Sequence, residues 1–590
     1  MEALLETEPR PAGRSRDRIA PRHGPRTEAP ERPQQARNAW LALAALCLSA
    51  LLVGIDNTIV NVALPTIGRE LDASTSDLQW VVDAYSLVFA SLLLVAGHLG
   101  DRFGRRRALQ LGLLLFGGTS LIAGTATSID GLIAGRGAMG AAAALIFPAT
   151  LALISSTFPD RRKRAAAIGI WSGVTGLSVA LGPLAGGLLV EHISWNAVFW
   201  VNVPLALVAI IAGRLLIVDS RDPHPGRFDG IGALLSVTAA GLLVWTVIEA
   251  PDTGWGSMQT ITGFTGSVLL LLGFVVWERR RSEPLFDVRL FANPRFSVAS
   301  GAVAIAFFGL FGFIFLITQF LQLVLGYGVL QAGAATLPFA IVTAALSPVA
   351  IVLTKIYGNR AVVATGLMLM SAGFALAAGS TADSEYWGRI VASMVLMAAG
   401  LAFTSGPATE AIMATLPPHR AGAGSAVNDT TRELGGTLGV AVIGSVMSSV
   451  YGQRIADALA ALPMPLPNQA VNTARSSLTG AVAVVQTLPT EQAGSLFTIV
   501  TDAFVHGLQA GSLVAAGAAA GAFVMVLIAM PGPPPGQHLW RSGRHNGTAG
   551  SDRSWLLQAA ELQARRAAPD VASESTSVEP AENTKSTAAQ

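Results

Sequence analysis

Between Gly54 and Pro65 the chain reads GIDNTIVNVALP, and Asp56 stands there inside an apolar run that begins AWLALAALCLSALLV at Ala39. A carboxylate at the centre of a membrane helix costs about 2.5–3.5 kcal/mol on insertion scales, so such a residue is used, neutralised or kept near water. Counting about 1.5 Å per residue from Trp40 puts Asp56 about 24 Å along a helix, past the middle of a bilayer. Asn57 and Asn61, four residues apart, make a polar stripe beside it, as expected of a helix that lines a water-filled cavity. Asp56 is there either to exchange a proton for a cationic group or, held by neighbouring hydroxyl and amide groups, for packing alone.

Three other charged residues raise the same question. Arg136, in LIAGRGAMGAAAA (132–144), sits on a run otherwise free of charge and must face a cavity or a partner. Glu410, in TSGPATEAIMATLPP (404–418), follows a Gly-Pro break and is either a cavity acid or an interfacial one reaching water. Asp83, three residues after Trp80, is expected at the external surface.

Enzyme chemistry finds no foothold. Cys47 is the one cysteine, which leaves no intrachain disulfide or cysteine-based metal site. The eight histidines show no HExxH or similar ligand spacing. The three lysines, Lys163, Lys355 and Lys585, never follow a glycine, so the Gly-Lys-Ser/Thr of a phosphate-cradling loop is missing. No nucleophile elbow or pair of catalytic carboxylates is visible. The expectation is a protein that is not an enzyme and has no cofactor or metal.

The elements that must position these residues are membrane spans. The chain has 590 residues, of which 52% are hydrophobic and 13% charged, with mean hydropathy +0.53. Soluble domains carry roughly 25% charged residues, so this chain cannot clothe a water-facing surface. Fourteen runs of about 20 apolar residues lie between positions 39 and 530. Lys and Arg concentrate in alternate loops, among them DRFGRRR (101–107) and DRRKR (160–164), which marks those loops as cytoplasmic. The opposite loops hold only Arg69, Arg389, Arg454 and Arg475. In this count Arg432 belongs to a cytoplasmic loop and the thirteenth span covers 435–451. An even number of spans puts both termini in the cytoplasm. Residues 1–38 and 531–590 read as disordered tails, the second with a short amphipathic stretch at 555–566. In the long external loop 452–506, ALPMPLPNQ (461–469) reads as extended polar loop and 476–488 as a surface helix. The formal net charge of +2 argues neither for nor against a polyanion.

Several motifs stand in order along these spans. The second ends in GHLGDRFGRRR, with Gly97, Asp101, Arg102, Gly104, Arg105 and Arg106 in the spacing G-x-x-x-D-R-x-G-R-R. The fifth holds Ser178 and then GPLAGG, that is Gly182, Pro183, Gly186 and Gly187. The loop resembles the signature between helices two and three of the major facilitator superfamily, and GPxxGG resembles that family's antiporter motif, with Ser178 at its first glycine. LIAGRGAMGAAAA is similar to the family's helix-four element, with Met139 in place of a glutamine. GIDNTIVNVALP, WNAVFWVNVP (195–204), QFLQLVLGYGVLQAGAATLP (319–338) and RELGGTLGVAVIGS (432–445) resemble the 14-helix drug:proton antiporter branch over residues 39–530. TKIYGNR (354–360) is a decayed counterpart of DRFGRRR, as two repeated bundles require.

The resemblance implies an all-α polytopic membrane protein with two six-helix bundles, 39–218 and 297–530, and two extra helices in the linker 219–296. It implies a proton-coupled exporter of lipophilic or cationic drugs in the bacterial cytoplasmic membrane, driven by the proton gradient. Asp56 would be the coupling carboxylate and Arg136 its electrostatic helper, with Asn57, Asn61 and Glu410 in the same site, Arg136 being otherwise a structural residue bonded to backbone carbonyls. The 101–106 loop would be a conformational latch between bundles. Trp171, Phe307, Phe308, Phe311 and Phe315 either line the cavity or pack. Expected partners are a small lipophilic substrate, protons and the lipid bilayer, with no nucleic acid, and the chain is expected to be a monomer. A dedicated exporter of one metabolite or self-made antibiotic is the alternative, and a non-transporting receptor on the same fold is a third.

Overall fold

A computed structural model of the chain describes residues 33–221, 229–282, 284, 286–416, 421–460, 467–486 and 490–531. Most of both tails, including 555–566, and the ALPMPL part of the 452–506 loop lie outside the described residues. Within them the structure is helical, without a strand.

The first group comprises α1 (Pro33–Glu70), α2 (Thr75–Phe103), α3 (Arg105–Ala123), α4 (Ile129–Thr157), α5 (Arg161–His192), the short α6 (Ala197–Trp200) and α7 (Asn202–Leu216). A helical pair follows, α8 (Gly230–Thr253) and α9 (Met258–Arg280). The last group is α10 (Pro294–Gln319), α11 (Val329–Ala334), α12 (Leu337–Tyr357), α13 (Asn359–Ala377), α14 (Val391–Ala414), α15 (Ala421–Ala460), α16 (Asn468–Ser476), α17 (Leu478–Gln486) and α18 (Thr490–Ala529). Among the described residues twelve helical segments are long and apolar enough to cross a membrane, and the bent α5 makes a thirteenth. With α3, about 28 Å long behind its three arginines, the structure is consistent with fourteen.

Local chemistry sets the ends. Ser74 and Asp77 form a reciprocal capping box at the start of α2, and Asp160 accepts from the Lys163 amide at 2.8 Å to start α5. α5 bends by 42° between Val179 and Leu181 because the Pro183 ring crowds the carbonyl four residues back. Gly104 (φ +112°) and Gly358 (φ +83°) make the abrupt joints α2–α3 and α12–α13, a backbone that glycine adopts without strain. DRFGRRR and TKIYGNR therefore share a turn as well as a pattern.

Within the first group α4 packs on α2 and α3, while α1 packs on α5 and α7. In the last, α10 packs on α14, α15 and α18, and α13 on α14 and α18. Between the groups α2 lies against α15, and α11 against α5. The α8–α9 pair leans on both α2 and α15.

Two expectations are corrected. The thirteenth span is not 435–451 but Val427–Leu459, inside the 40-residue α15, so Arg432 belongs to a span and not to a loop. Its polar residues are held by groups on this and neighbouring helices, Arg432 by Asp429 and Phe307 and Glu433 by Asn57. The 452–506 loop is largely helical where described: α15 runs to Ala460, α18 starts at Thr490, and α16 and α17 lie between. The Tyr451 hydroxyl ties α16 down by donating to the carbonyls of Ala474 and Ser477, at 2.8 and 3.2 Å.

The α8–α9 pair is fastened at its open end by Asp229. Its carboxylate caps α8 through the Gly232 amide at 3.0 Å and accepts from the Trp277 indole at 2.9 Å and from Arg281 at 3.4 Å. Burial pushes this carboxyl up, but the Gly232 amide, Trp277 and Arg281 outweigh it and hold the group below its ordinary value. A depressed folded value means that the stabilisation is present at neutral pH and is lost as pH falls through the acid range. Asp229→Asn is expected to lower thermal stability by about 1–3 kcal/mol at neutral pH, and the gap to wild type should close on acidification, measured by unfolding in detergent across pH.

Candidate functional site: a buried ion pair between helices

Asp56 is fully enclosed, and the groups that hold it come from α4 and α7. Its Oδ2 accepts from Arg136 at 2.6 Å and its Oδ1 from the Asn202 amide at 2.7 Å. Arg136 is also fully enclosed and donates through Nε to the Val81 carbonyl at 3.0 Å. Its guanidinium lies 4.2 Å from the centroid of the Tyr85 ring, a cation–π contact in a dry setting. Arg136 thus meets both a partner carboxylate and a backbone carbonyl. Asn202 donates further to Ser120 at 3.0 Å, and Ser120 to the Phe199 carbonyl at 2.8 Å.

Glycine makes this depth reachable. Gly140 of α4 lies so close to the Tyr85 backbone of α2 that a Cβ would overlap the Tyr85 carbonyl oxygen. Small residues at such a crossing let helices approach without an intervening side chain.

The stripe beside Asp56 is not solvent-lined in this structure, since Asn61 is 1% and Asn57 9% exposed. Asn61 turns its amide to the Asn57 and Thr58 carbonyls of its own helix, at 3.5 and 3.4 Å. Asn57 instead reaches across to the last group, donating to Glu433 of α15 at 3.5 Å, the long end of a hydrogen bond. Glu433 is partly exposed. Its neighbour Arg432 lies 4.4 Å from the Phe307 ring centroid and 3.6 Å from Asp429. Asp56, Arg136, Asn57 and Glu433 therefore form one polar layer across both groups, with one shielded carboxylate and one reachable one.

Glu410 does not join this layer. It is exposed near the end of α14. Asp83, expected at the surface, is instead fully buried on α2, because that face packs under α8 and α15. Among the aromatics Trp171 donates to Thr150 at 3.1 Å, Phe311 packs on Gly436 and Phe315 is fully buried. Packing accounts for these three. Glu433 and Asn202 are the residues that sequence reasoning missed, although both lie within stretches, RELGG and WNAVFWVNVP, that carried the resemblance.

The motif loop finds its partners within α2–α4 and in the segment that follows α7. Asp101 pairs with Arg105 at 2.7 Å, and the Arg105 amide donates to the Ser220 carbonyl at 2.8 Å. The Arg106 amide donates to Asp219 at 3.0 Å and its side chain to the Ile217 carbonyl at 3.1 Å. Gly104 sits against Asp219, Arg102 lies over Phe103, and Gly97 packs near Pro148 of α4. These contacts all lie among α2, α3, α4 and residues 217–220.

GPxxGG lies where three helices converge. Gly182 and Gly186 receive Thr58 and Ile59 of α1, and Gly187 receives Leu330 of α11. The Pro183 carbonyl approaches Gly333 so closely that a Cβ there would overlap it. The Leu330 amide donates to Glu191 at 2.8 Å, and Gln322 to the Val62 carbonyl at 2.8 Å. The two groups are therefore joined at the end that carries Glu191. Toward the arginine-rich end, Gly169, Gly173 and Gly176 of α5 face open space.

This architecture is that of a membrane transporter: residues 46–440 match the model of the Major Facilitator Superfamily, and the chain belongs to that superfamily. It is 36% identical over 487 residues to the multidrug efflux pump LfrA of Mycolicibacterium smegmatis, covering 82% of this chain and 95% of that one. It is 34% identical over 500 residues to the tetracenomycin C resistance and export protein of Streptomyces glaucescens, covering 84% and 92%. Its fold is similar to that of a bacterial homologue of the human lysosomal transporter Spinster, solved inward-facing and unoccupied, with TM-score 0.59 and 19% identity over 84% of this chain and 98% of that one.

Removing one member of a buried ion pair costs about 3–5 kcal/mol, because the other charge is left uncompensated. Asp56→Asn and Arg136→Gln should each destabilise the protein by about that amount. The double variant should be more stable than either single one, as read by thermal unfolding of purified protein in a double-mutant cycle.

Proposed function

We propose that the protein is a proton-coupled antiporter that exports lipophilic or cationic drugs and antibiotics across the bacterial cytoplasmic membrane by alternating access. Both termini would be cytoplasmic, which makes the arginine-rich end the inner one and the arrangement described above open inward. Residues 39–218 and 297–530 would be the rocking bundles and 219–296 the insertion between them. The working unit would be a monomer, with the proton gradient and no cofactor as its energy source. The observation that carries this reading is the enclosed Asp56–Arg136 pair beside the partly exposed Glu433.

The chemistry follows from charge balance. While Asp56 is ionised, Arg136 is neutralised and the layer tolerates a cation at Glu433. A proton placed on Asp56 leaves Arg136 as an uncompensated charge in a low-dielectric site. That charge repels a cationic cargo and favours a rearrangement in which Arg136 is solvated or paired again. Cargo leaving to the outside and proton entering from it are then two halves of one exchange. Because only differential affinity between states moves such an equilibrium, the pair must be held differently when the Glu191 end opens.

The names of the relatives, a multidrug pump and a tetracenomycin exporter, support both a broad and a dedicated cargo.

Inside-out vesicles loaded with the protein should take up ethidium when their lumen is acidified and stop when the gradient is collapsed. Asp56→Asn is expected to reduce this uptake to background at equal protein level, and Glu433→Gln to weaken cationic more than neutral dyes. Normal uptake in Asp56→Asn would reduce the pair to packing. No transport of any dye by folded wild type would favour a dedicated cargo.

A further inference from the structure

Asp83 has no part in the exchange just described. It is 0% exposed, and among the described residues neither carboxyl oxygen has a hydrogen-bond partner. Its surroundings follow from helical spacing: Ser76, Gln79, Asp83 and Leu87 share one face of α2. Ser76 donates to Asp252 of α8 at 3.1 Å, and Gln79 donates to the Val440 and Ala441 carbonyls of α15 at 3.1 and 3.0 Å. Leu87 packs with Val244, Val247 and Ile248 of α8 and Ala441 of α15. Asp83 lies between these contacts, in the seam where α2, α8 and α15 meet. The opposite face of α2, with Ala84, Tyr85 and Val88, meets Gly137 and Gly140 of α4.

Charged groups on the surrounding helices are engaged elsewhere. Asp56 of α1 and Arg136 of α4 hold each other. Arg105 and Arg106 of α3 are bound at the motif turn, and Arg107 lies 3.6 Å from Asp219. On α8, Asp252 accepts from Ser76 and Glu249 is partly exposed. On α15, Arg432 pairs with Asp429 and Glu433 accepts from Asn57. None of these is bonded to Asp83.

An ionised carboxylate enclosed without a donor is strongly unfavourable, whereas the neutral acid is a small polar group that packing tolerates. We propose that Asp83 is a second proton-binding site, loaded while α2, α8 and α15 are packed together and emptied to water when that seam opens. The proton would sit on a carboxyl oxygen and leave as that oxygen gains water as a donor. Because α2 and α15 belong to opposite groups, proton occupancy here would favour the packed seam. The binding site stands on packing alone; its contribution to coupling rests on the antiporter reading.

Two measurements separate these parts. The infrared spectrum of purified protein in lipid at neutral pH should contain the carbonyl band of a protonated carboxylic acid. The band should persist in Asp56→Asn and vanish in Asp83→Asn. Should Asp83→Asn fail to fold, wild type grown on carboxyl-labelled aspartate decides, because the label must shift that band. An unchanged band in the variant, or an unshifted one with label, would overturn the site whether or not any cargo is moved. In transport, each coupled proton multiplies cargo accumulation tenfold per pH unit of gradient. Asp83→Asn should therefore lower the steady-state ethidium ratio about tenfold across a gradient of about one unit, with gradient-free dye exchange retained. An unaltered ratio would overturn the coupling role.

Discussion

The cost of enclosing charge organises the middle of this molecule. Asp56 and Arg136 would each be intolerable alone at their depth, and together they require helices from different parts of the chain to meet within hydrogen-bonding distance. α1 brings the acid, α4 the base, α7 the amide of Asn202, and α2 the Val81 carbonyl and the Tyr85 ring. The glycine at 140 then reads as a consequence, since a larger residue would hold α4 away from α2 and separate the charges. Such a pair is weak evidence for stability, because its desolvation offsets most of its attraction. In the proposed exchange it is a device whose balance one proton upsets.

The contacts between the two groups are distributed unevenly, and this gives the pair something to act on. At the end carrying Glu191, backbone meets backbone through Gly187, Gly333 and Leu330. At the other end Gly169, Gly173 and Gly176 of α5 face open space among the described residues, and the motif loop is occupied with Ile217, Asp219 and Ser220, which follow α7. A latch between bundles would have to give up these partners to engage the other side. In this structure the loop is docked on residues 217–220.

Much of the site was legible because charge inside an apolar run is conspicuous. Asp56 and Arg136 announced themselves in that way, and so did the glycines of GPxxGG. Glu433 did not, since RELGG begins a charged patch that looks like the edge of a loop until α15 is seen to continue through it. Asn202 was hidden by chemistry, an amide among aromatics that no hydropathy reading distinguishes from an interfacial residue. Asp83 was misplaced because its burial depends on α8, a helix that nothing near position 83 encodes. Where a residue's setting comes from its own helix the sequence carried it, and where it comes from a distant one it did not.

The length of α15 carries a mechanical consequence. From Glu433 to its end at Ala460 the helix extends roughly 40 Å, more than the hydrocarbon thickness of a bilayer. A rigid rod pivoting about its charged middle acts as a lever, and a tilt of roughly five degrees carries its tip sideways by about 3 Å. The Tyr451 hydroxyl clamps α16 to that arm. A rearrangement of sub-ångström size at the midplane would thus be amplified at the surface, so that α16 moves with the tip of α15 as the pointer of a gauge.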